Sequence, residues 1–227
     1  MRKAPAPPTA IVFDCDGLLL ETESCWSLAE TELFESYDRS FGDDEKRALI
    51  GTSLFDGSLI LERLLDQPGR AESLGRELLD LVERRLLEEA TAFPGGLELV
   101  VELKERVPIA VASNTPDRLV RGALACAGMA EYFEIVVAGD QVAQPKPAPD
   151  VYLRACELLN ADPAGAIGLE DSPTGIASVR AAGMYAVGIP SFPGVVLDAD
   201  LIGTSLTDPR VRAALGASTP GRKKLGR

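Results

Sequence analysis

The chain has 227 residues, with 23 Lys and Arg against 35 Asp and Glu, a net charge of −12 and no histidine. Without imidazole there is no Ser-His-Asp triad, no His-ligated zinc and no His general base, so acid–base chemistry near neutral pH falls to carboxylates, Lys or Cys. The negative balance argues against a nucleic-acid binder, which needs a basic face.

Hydrophobic residues make up 46% and charged residues 26%, as in an ordinary soluble globular protein. The length suits one domain with an insertion, or two small ones, and is enough to bury a core without disulfides. The four cysteines, at 15, 25, 126 and 156, match no metal spacing and read as free thiols in a cytoplasm. No apolar run is long enough to span a bilayer, and the proline-rich start lacks a signal-peptide apolar stretch. Arg222, Lys223, Lys224 and Arg227 form the one basic cluster and read as a solvated tail.

Residues 9–13 form a short apolar run ending at Asp14, which predicts a strand. Residues 22–91 change to a helical pattern. Leu74, Leu78, Leu81, Val82 and Leu86 mark one apolar face, and Gly42 and the Gln67, Pro68, Gly69 run punctuate helices. This stretch carries seventeen acidic and eight basic residues, a net of −9, expected on a solvated face. From Phe93 onward the pattern predicts helix 97–106, strand 108–112, helix 116–127, strand 135–138, helix 149–160, strand 166–169, helix 173–182 and strand 185–188. Such alternation indicates an α/β fold, a doubly wound parallel Rossmann-like sheet, with a helical block inserted after the first strand.

In open parallel sheets, ligands sit beyond the C-terminal strand edges. Asp14, Asp16 and Gly17 follow the first strand. Ser113, Asn114 and Thr115 follow the second, Lys146 follows the third region, and Glu170, Asp171 and Ser172 follow the fourth. Crowded carboxylates raise one another's pKa, and a hard divalent cation relieves them. Lys146, Ser113 and Asn114 supply positive charge and donors for an anion. One carboxylate can attack phosphorus while a second handles the proton.

These four motifs, in this order, resemble the haloacid dehalogenase superfamily of phosphohydrolases over about residues 9–206, on the branch that holds sugar phosphatases and β-phosphoglucomutase. The Asp-x-Asp-Gly motif matches Asp14, Asp16 and Gly17, and the Ser/Thr motif matches Ser113 and Asn114. The Lys motif matches Lys146, and the acidic motif matches Glu170 and Asp171. The resemblance implies a Mg²⁺-dependent phosphatase with Asp14 as nucleophile and metal ligand. Asp16 is implied as acid and base, its backbone carbonyl touching the metal, with Glu170 and Asp171 as further metal ligands. Ser113 and Asn114 are implied to hold phosphoryl oxygens, and Lys146 to balance the charge and orient Asp14. Residues 1–21 and 92–227 correspond to the catalytic core and 22–91 to a helical cap that selects the substrate, a small phosphorylated metabolite such as a sugar phosphate. A cytoplasmic monomer is expected, with no nucleic-acid or membrane partner.

The sequence departs from the mutase pattern. Trp26 stands where that branch has a linker His, and the cap loop runs through Gly51 and Thr52 to Leu54, where the mutases place an Arg. Trp26 offers a sugar ring a flat apolar face or packs as an ordinary cap aromatic. Trp26, Gly51 and Thr52 are the substrate-side candidates. A phosphosugar mutase and a catalytically silent binding protein on this fold stand as alternatives. Asp16 argues against the metal-free dehalogenases, and Gly17, Gly175 and Gly183 read as backbone devices.

Overall fold

Ile11, Val12 and Phe13 are fully buried, as an apolar run must be in a parallel sheet covered on both faces. A computed structural model describes residues 2–49, 52, 54–191 and 194–218, so Gly51 and the basic cluster Arg222, Lys223, Lys224 and Arg227 lie outside the described residues. The chain runs β1 (Ile11–Phe13), β2 (Leu20–Glu21), α1 (Glu23–Ser36), α2 (Asp43–Leu49), α3 (Leu54–Leu64), α4 (Ala71–Glu89) and β3 (Thr91–Ala92). It continues through α5 (Gly96–Lys104), β4 (Ile109–Ala112), α6 (Asp117–Cys126), β5 (Val136–Val137), α7 (Asp150–Leu158), β6 (Ile167–Glu170), α8 (Pro173–Ala181), β7 (Tyr185–Gly188), β8 (Leu201–Ile202) and α9 (Pro209–Ala214).

The main sheet has the order β5-β4-β1-β6-β7-β8, and its pairs are parallel. β1 lies between β4 and β6, with Phe13 opposite Val111 on one side and Leu169 on the other. The strand order reverses at β1, which opens a crevice at its C-terminal edge. Side chains alternate across the sheet. Ile11, Phe13, Val111 and Leu169 join one core, while Val12, Ala110, Ala112, Tyr152 and Val179 join the other.

The helical insert leaves and rejoins the sheet layer through the antiparallel pair β2–β3. Cys25, Ala29 and Leu33 on α1, and Leu74, Leu78, Val82 and Leu86 on α4, are buried at helical spacing, while Leu81 is half-buried. The insert also leans on the core. Arg118 of α6 forms ion pairs with Asp80 and Glu83 of α4, and Leu87 packs over Gly122.

Three expected strands, 108–112, 166–169 and 185–188, lie within one residue of β4, β6 and β7. The expected runs 9–13 and 135–138 shorten to three and two residues. The sequence pattern gives no sign of β2, β3 or β8, because two residues cannot display a period. Helix α9 is a further addition, capped by Asp208, whose carboxylate accepts from the Arg210 N–H. Among the described residues no helix is long and apolar enough to cross a membrane.

Candidate active site

The C-terminal ends of β1, β4 and β6 converge with the loop before α7, and this junction collects the charged groups. Lys146 is the pivot. Its Nζ donates to Asp14 Oδ1 at 2.5 Å, Glu170 Oε1 at 2.6 Å and the Ala112 carbonyl at 2.9 Å. Those bonds use all three protons of the ammonium, so its position is fixed. Lys146 is 5% exposed and Glu170 1%.

Asn114 secures the Lys146 backbone. Its Oδ1 accepts from the Lys146 N–H at 2.7 Å, and its Nδ2 donates to the Lys146 carbonyl at 3.2 Å. The Asn114 side chain is thereby spent on Lys146, which leaves its backbone N–H as the group for an anion.

Asp16 is held differently. Its Oδ1 accepts from Thr22 Oγ1 at 2.8 Å, and its Oδ2 accepts from Thr115 Oγ1 at 2.9 Å and Ser113 Oγ at 3.1 Å. Asp171 Oδ2 accepts from Ser191 Oγ at 2.6 Å. The loop after β1 passes close to Asp171 because Gly17 has φ +80°, and a Cβ there would lie 2.3 Å from Asp171 Oδ2.

The charge does not balance. Ionised together, Asp14, Glu170 and Asp171 would set three negative charges against one ammonium. Burial pushes the Asp14 carboxyl well up; Lys146 opposes this, while Glu170, Asp171 and Asp16 add to it. Burial and Glu170 push Asp171 up to about 7. For Lys146, burial disfavours the ammonium, but Asp14 and Glu170 outweigh it and raise the pKa above the ordinary lysine value.

A divalent cation fits this arrangement. Asp14, Glu170 and Asp171 each offer an oxygen within 4.8 Å of the others. Three hard carboxylate oxygens suit Mg²⁺, and two positive charges cancel the excess. The Asp16 carboxylate stands apart from that group, engaged by hydroxyls, so only its backbone carbonyl is left for a metal.

A cavity of about 690 Å³ opens over these residues. Asp14, Asp16, Ser113, Asn114, Lys146 and Asp171 line its floor, while Glu170 is buried behind it. Trp26 and Thr52 face the same cavity from the insert. Leu54 also lines it.

The model of the haloacid dehalogenase-like hydrolase family matches residues 11–189. The chain belongs to that family. It is 31% identical over 176 residues to the phosphorylated carbohydrates phosphatase of Thermotoga maritima, across 77% of this chain and 82% of that one. It is 30% identical over 213 residues to the β-phosphoglucomutase of Bacillus subtilis, across 88% and 90% of the two chains. Among solved structures, CbbY from Rhodobacter sphaeroides in complex with phosphate superposes with a TM-score of 0.81 at 28% identity, covering 92% of this chain and 99% of that one.

Several site residues of this haloacid dehalogenase-like hydrolase escaped the sequence reading. Thr22 binds Asp16, and so does Thr115, which the strand-end rule reached without giving it a role. Tyr152 donates its hydroxyl to Glu170 Oε1 at 2.6 Å, and Ser191 holds Asp171. Ser191 follows β7, so the strand-end rule applied once more reaches it. Gly175 is more than a backbone device. A Cβ there would lie 1.9 Å from the Glu170 carboxyl, so the helix start makes room for that side chain.

Proposed function

We propose that this hydrolase is a Mg²⁺-dependent phosphomonoesterase acting on a small phosphorylated metabolite, a sugar phosphate, through an aspartyl-phosphate. The observation that carries this is Asp14: one oxygen is anchored by Lys146, and the carboxylate faces a cavity that Asp16 also lines. Asp14, Glu170, Asp171 and the Asp16 carbonyl would hold Mg²⁺, which would supply charge neutralisation at the phosphoryl oxygens.

Ser113 Oγ and the Asn114 N–H donate to the phosphoryl group, and Lys146 holds Asp14 in line. Asp14 forms a bond to phosphorus as the ester P–O bond breaks, and protonated Asp16 gives its proton to the leaving alcohol. Asp16, now a carboxylate, takes a proton from water as that oxygen attacks phosphorus. The Asp14–phosphorus bond breaks, and phosphate leaves. Residues 22–91 serve as the cap that excludes bulk water and selects the substrate. The missing histidine and Leu54 in the cap wall favour hydrolysis over the mutase alternative, and the assembled residue set favours an enzyme over a silent binding protein. Four free cysteines, three of them buried, suit a reducing cytoplasm. Since the insert itself covers the site, a monomer suffices.

The test is phosphate release from a panel of sugar monophosphates and simple monoesters with Mg²⁺. Turnover is expected in the wild type and none in a folded Asp14→Asn variant. Activity in Asp14→Asn removes Asp14 as nucleophile, and inactivity on every monoester overturns the assignment. Glucose 1-phosphate with a bisphosphate primer tests the mutase alternative, which formation of glucose 6-phosphate would support.

A further inference from the structure

The cavity is larger than a phosphoryl group needs, and its wall from the insert has an unusual member. Glu30, on α1, is 8% exposed and accepts no hydrogen bond from any described residue. Its carboxyl oxygens are still reached from the cavity, since among the described residues no fully buried side-chain oxygen lacks a partner. Burying a carboxyl without a partner is unfavourable, so a group that enters the cavity is its natural complement.

The surroundings define that complement. Trp26 lies four residues before Glu30, on the same face of α1, and both line the cavity. The charged neighbours of Glu30 are Glu23 on α1 and Lys46 on α2. Lys46 is engaged with Glu23 Oε1 at 2.6 Å and with Ser27 Oγ at 2.5 Å. α3 and α4 present Ser58, Leu61, Gly75 and Leu79 to the cavity, none of which titrates. Glu21 and Glu23 line it as well, and among the described residues Lys146 is its only lining cation.

The geometry points to Glu30 as a specificity-determining residue that hydrogen-bonds a hydroxyl on the non-phosphate end of the substrate, in a wall that turns away a second phosphate. This rests on the phosphomonoesterase reading. Burial, with Glu23 adding and Lys46 opposing, pushes the Glu30 carboxyl up to about 7. Near neutral pH the group therefore exists both as donor and as acceptor, which suits a hydroxyl, itself both. A phosphate meets three carboxylates here that repel it, Glu21, Glu23 and Glu30, and the nearby cation, Lys46, is already engaged by Glu23 and Ser27.

The test measures kcat and KM with Mg²⁺ for the best sugar monophosphate of the panel, its bisphosphate counterpart and methyl phosphate, which is too small to span the cavity. Wild type, Glu30→Gln and Glu30→Leu are compared. Wild type is expected to favour the monophosphate over the bisphosphate by about tenfold or more in kcat/KM, the scale of one charged contact. Glu30→Gln keeps a donor and an acceptor, so it retains the sugar monophosphate KM within about threefold and narrows that preference. Glu30→Leu raises the sugar monophosphate KM about tenfold, a loss at least about fivefold larger than on methyl phosphate. Equal losses on both substrates, an unchanged KM in Glu30→Leu, or parity between monophosphate and bisphosphate in the wild type overturns the assignment. Inactivity of wild type on every monoester overturns instead the phosphomonoesterase reading on which it rests.

Discussion

Thr22 donates a 2.8 Å hydrogen bond from its hydroxyl to Asp16 Oδ1. Thr22 sits between β2 and α1, where the chain passes from the sheet layer into the helical insert. The carboxylate proposed as acid and base is thus tied to the crossing point, and the position of the insert bears directly on that side chain.

Thr22→Val tests this tie. Valine matches threonine in shape and lacks only the hydroxyl, and Thr22 is 1% exposed. Ser113 and Thr115 still bind the other Asp16 oxygen, so the carboxylate keeps part of its support. A hydrogen bond to a charged group contributes about 1.5–3 kcal/mol. The expected result is a fall in kcat of about tenfold or more, with a smaller change in KM, measured by initial rates of phosphate release. An unchanged kcat would mean that Asp16 does not depend on Thr22.

Among the described residues, Lys146 is the site's only internal counter-charge to Asp14 and Glu170. Replacing it by Met removes an ammonium that is 5% exposed and leaves two buried carboxylates facing each other. Breaking a buried pair from one side costs about 3–5 kcal/mol. Lys146→Met is therefore expected to lose stability on that scale in urea unfolding, together with turnover. A loss below about 1 kcal/mol, the value of an exposed pair, would show that the carboxylates are neutral in the folded protein.

Gly175 offers a sharper probe of Glu170. An alanine Cβ there would lie 1.9 Å from the Glu170 carboxyl, and Glu170 cannot yield freely because Lys146 and Tyr152 hold it. Overpacking of this kind costs about 1–3 kcal/mol. Mg²⁺ is expected to raise the melting temperature of the wild type by mass action, and Gly175→Ala is expected to lose most of that rise. Gly183→Ala is the control. Its φ of +80° also strains alanine, but nothing lies within 4 Å of the new methyl, so stability falls while the Mg²⁺ response stays. Equal Mg²⁺ responses in the two variants would detach Glu170 from the metal site.

The contrast between Lys146 and Tyr152 shows what a sequence can and cannot reveal about this site. Strands β1, β4, β6 and β7 are buried on both faces, so they stand out as apolar runs, and the polar residues at their ends stand out against them. Asp14, Asp16, Ser113, Glu170 and Asp171 are all of that kind, Lys146 stands out as a charge between two prolines in the β5–α7 loop, and the structure gathers them at one edge. Tyr152 lies on the buried face of α7, where its ring looks like core and only the fold shows its hydroxyl meeting Glu170. Thr22 and Thr115 depend in the same way on Asp16, a partner six residues away in one case and 99 in the other. For Asn114, motif position suggests an anion ligand, but its amide closes on the Lys146 backbone, a pairing set by how the β5–α7 loop returns to β4.

Glu30 gives the fold a pH dependence of its own. Its carboxyl is pushed up to about 7 in the folded protein, against about 4.3 in an unfolded chain. Below the lower value both states are protonated and the group is harmless. Between the two, the folded state binds more protons than the unfolded state, so stability falls as pH rises and the loss is complete above about pH 7. Glu30→Gln has the same shape and never ionises. Its stability advantage over wild type is therefore expected to grow by about 2 kcal/mol between pH 5 and pH 8. Urea unfolding of both proteins at the two pH values measures this, with the wild-type difference isolating Glu30 from the other carboxylates. An advantage that is the same at both pH values would mean that Glu30 is ionised throughout, satisfied by Lys46 or by water in the cavity. A growing advantage would establish a carboxyl in the substrate wall that changes charge across the neutral range, the condition under which it can both donate to and accept from a sugar hydroxyl.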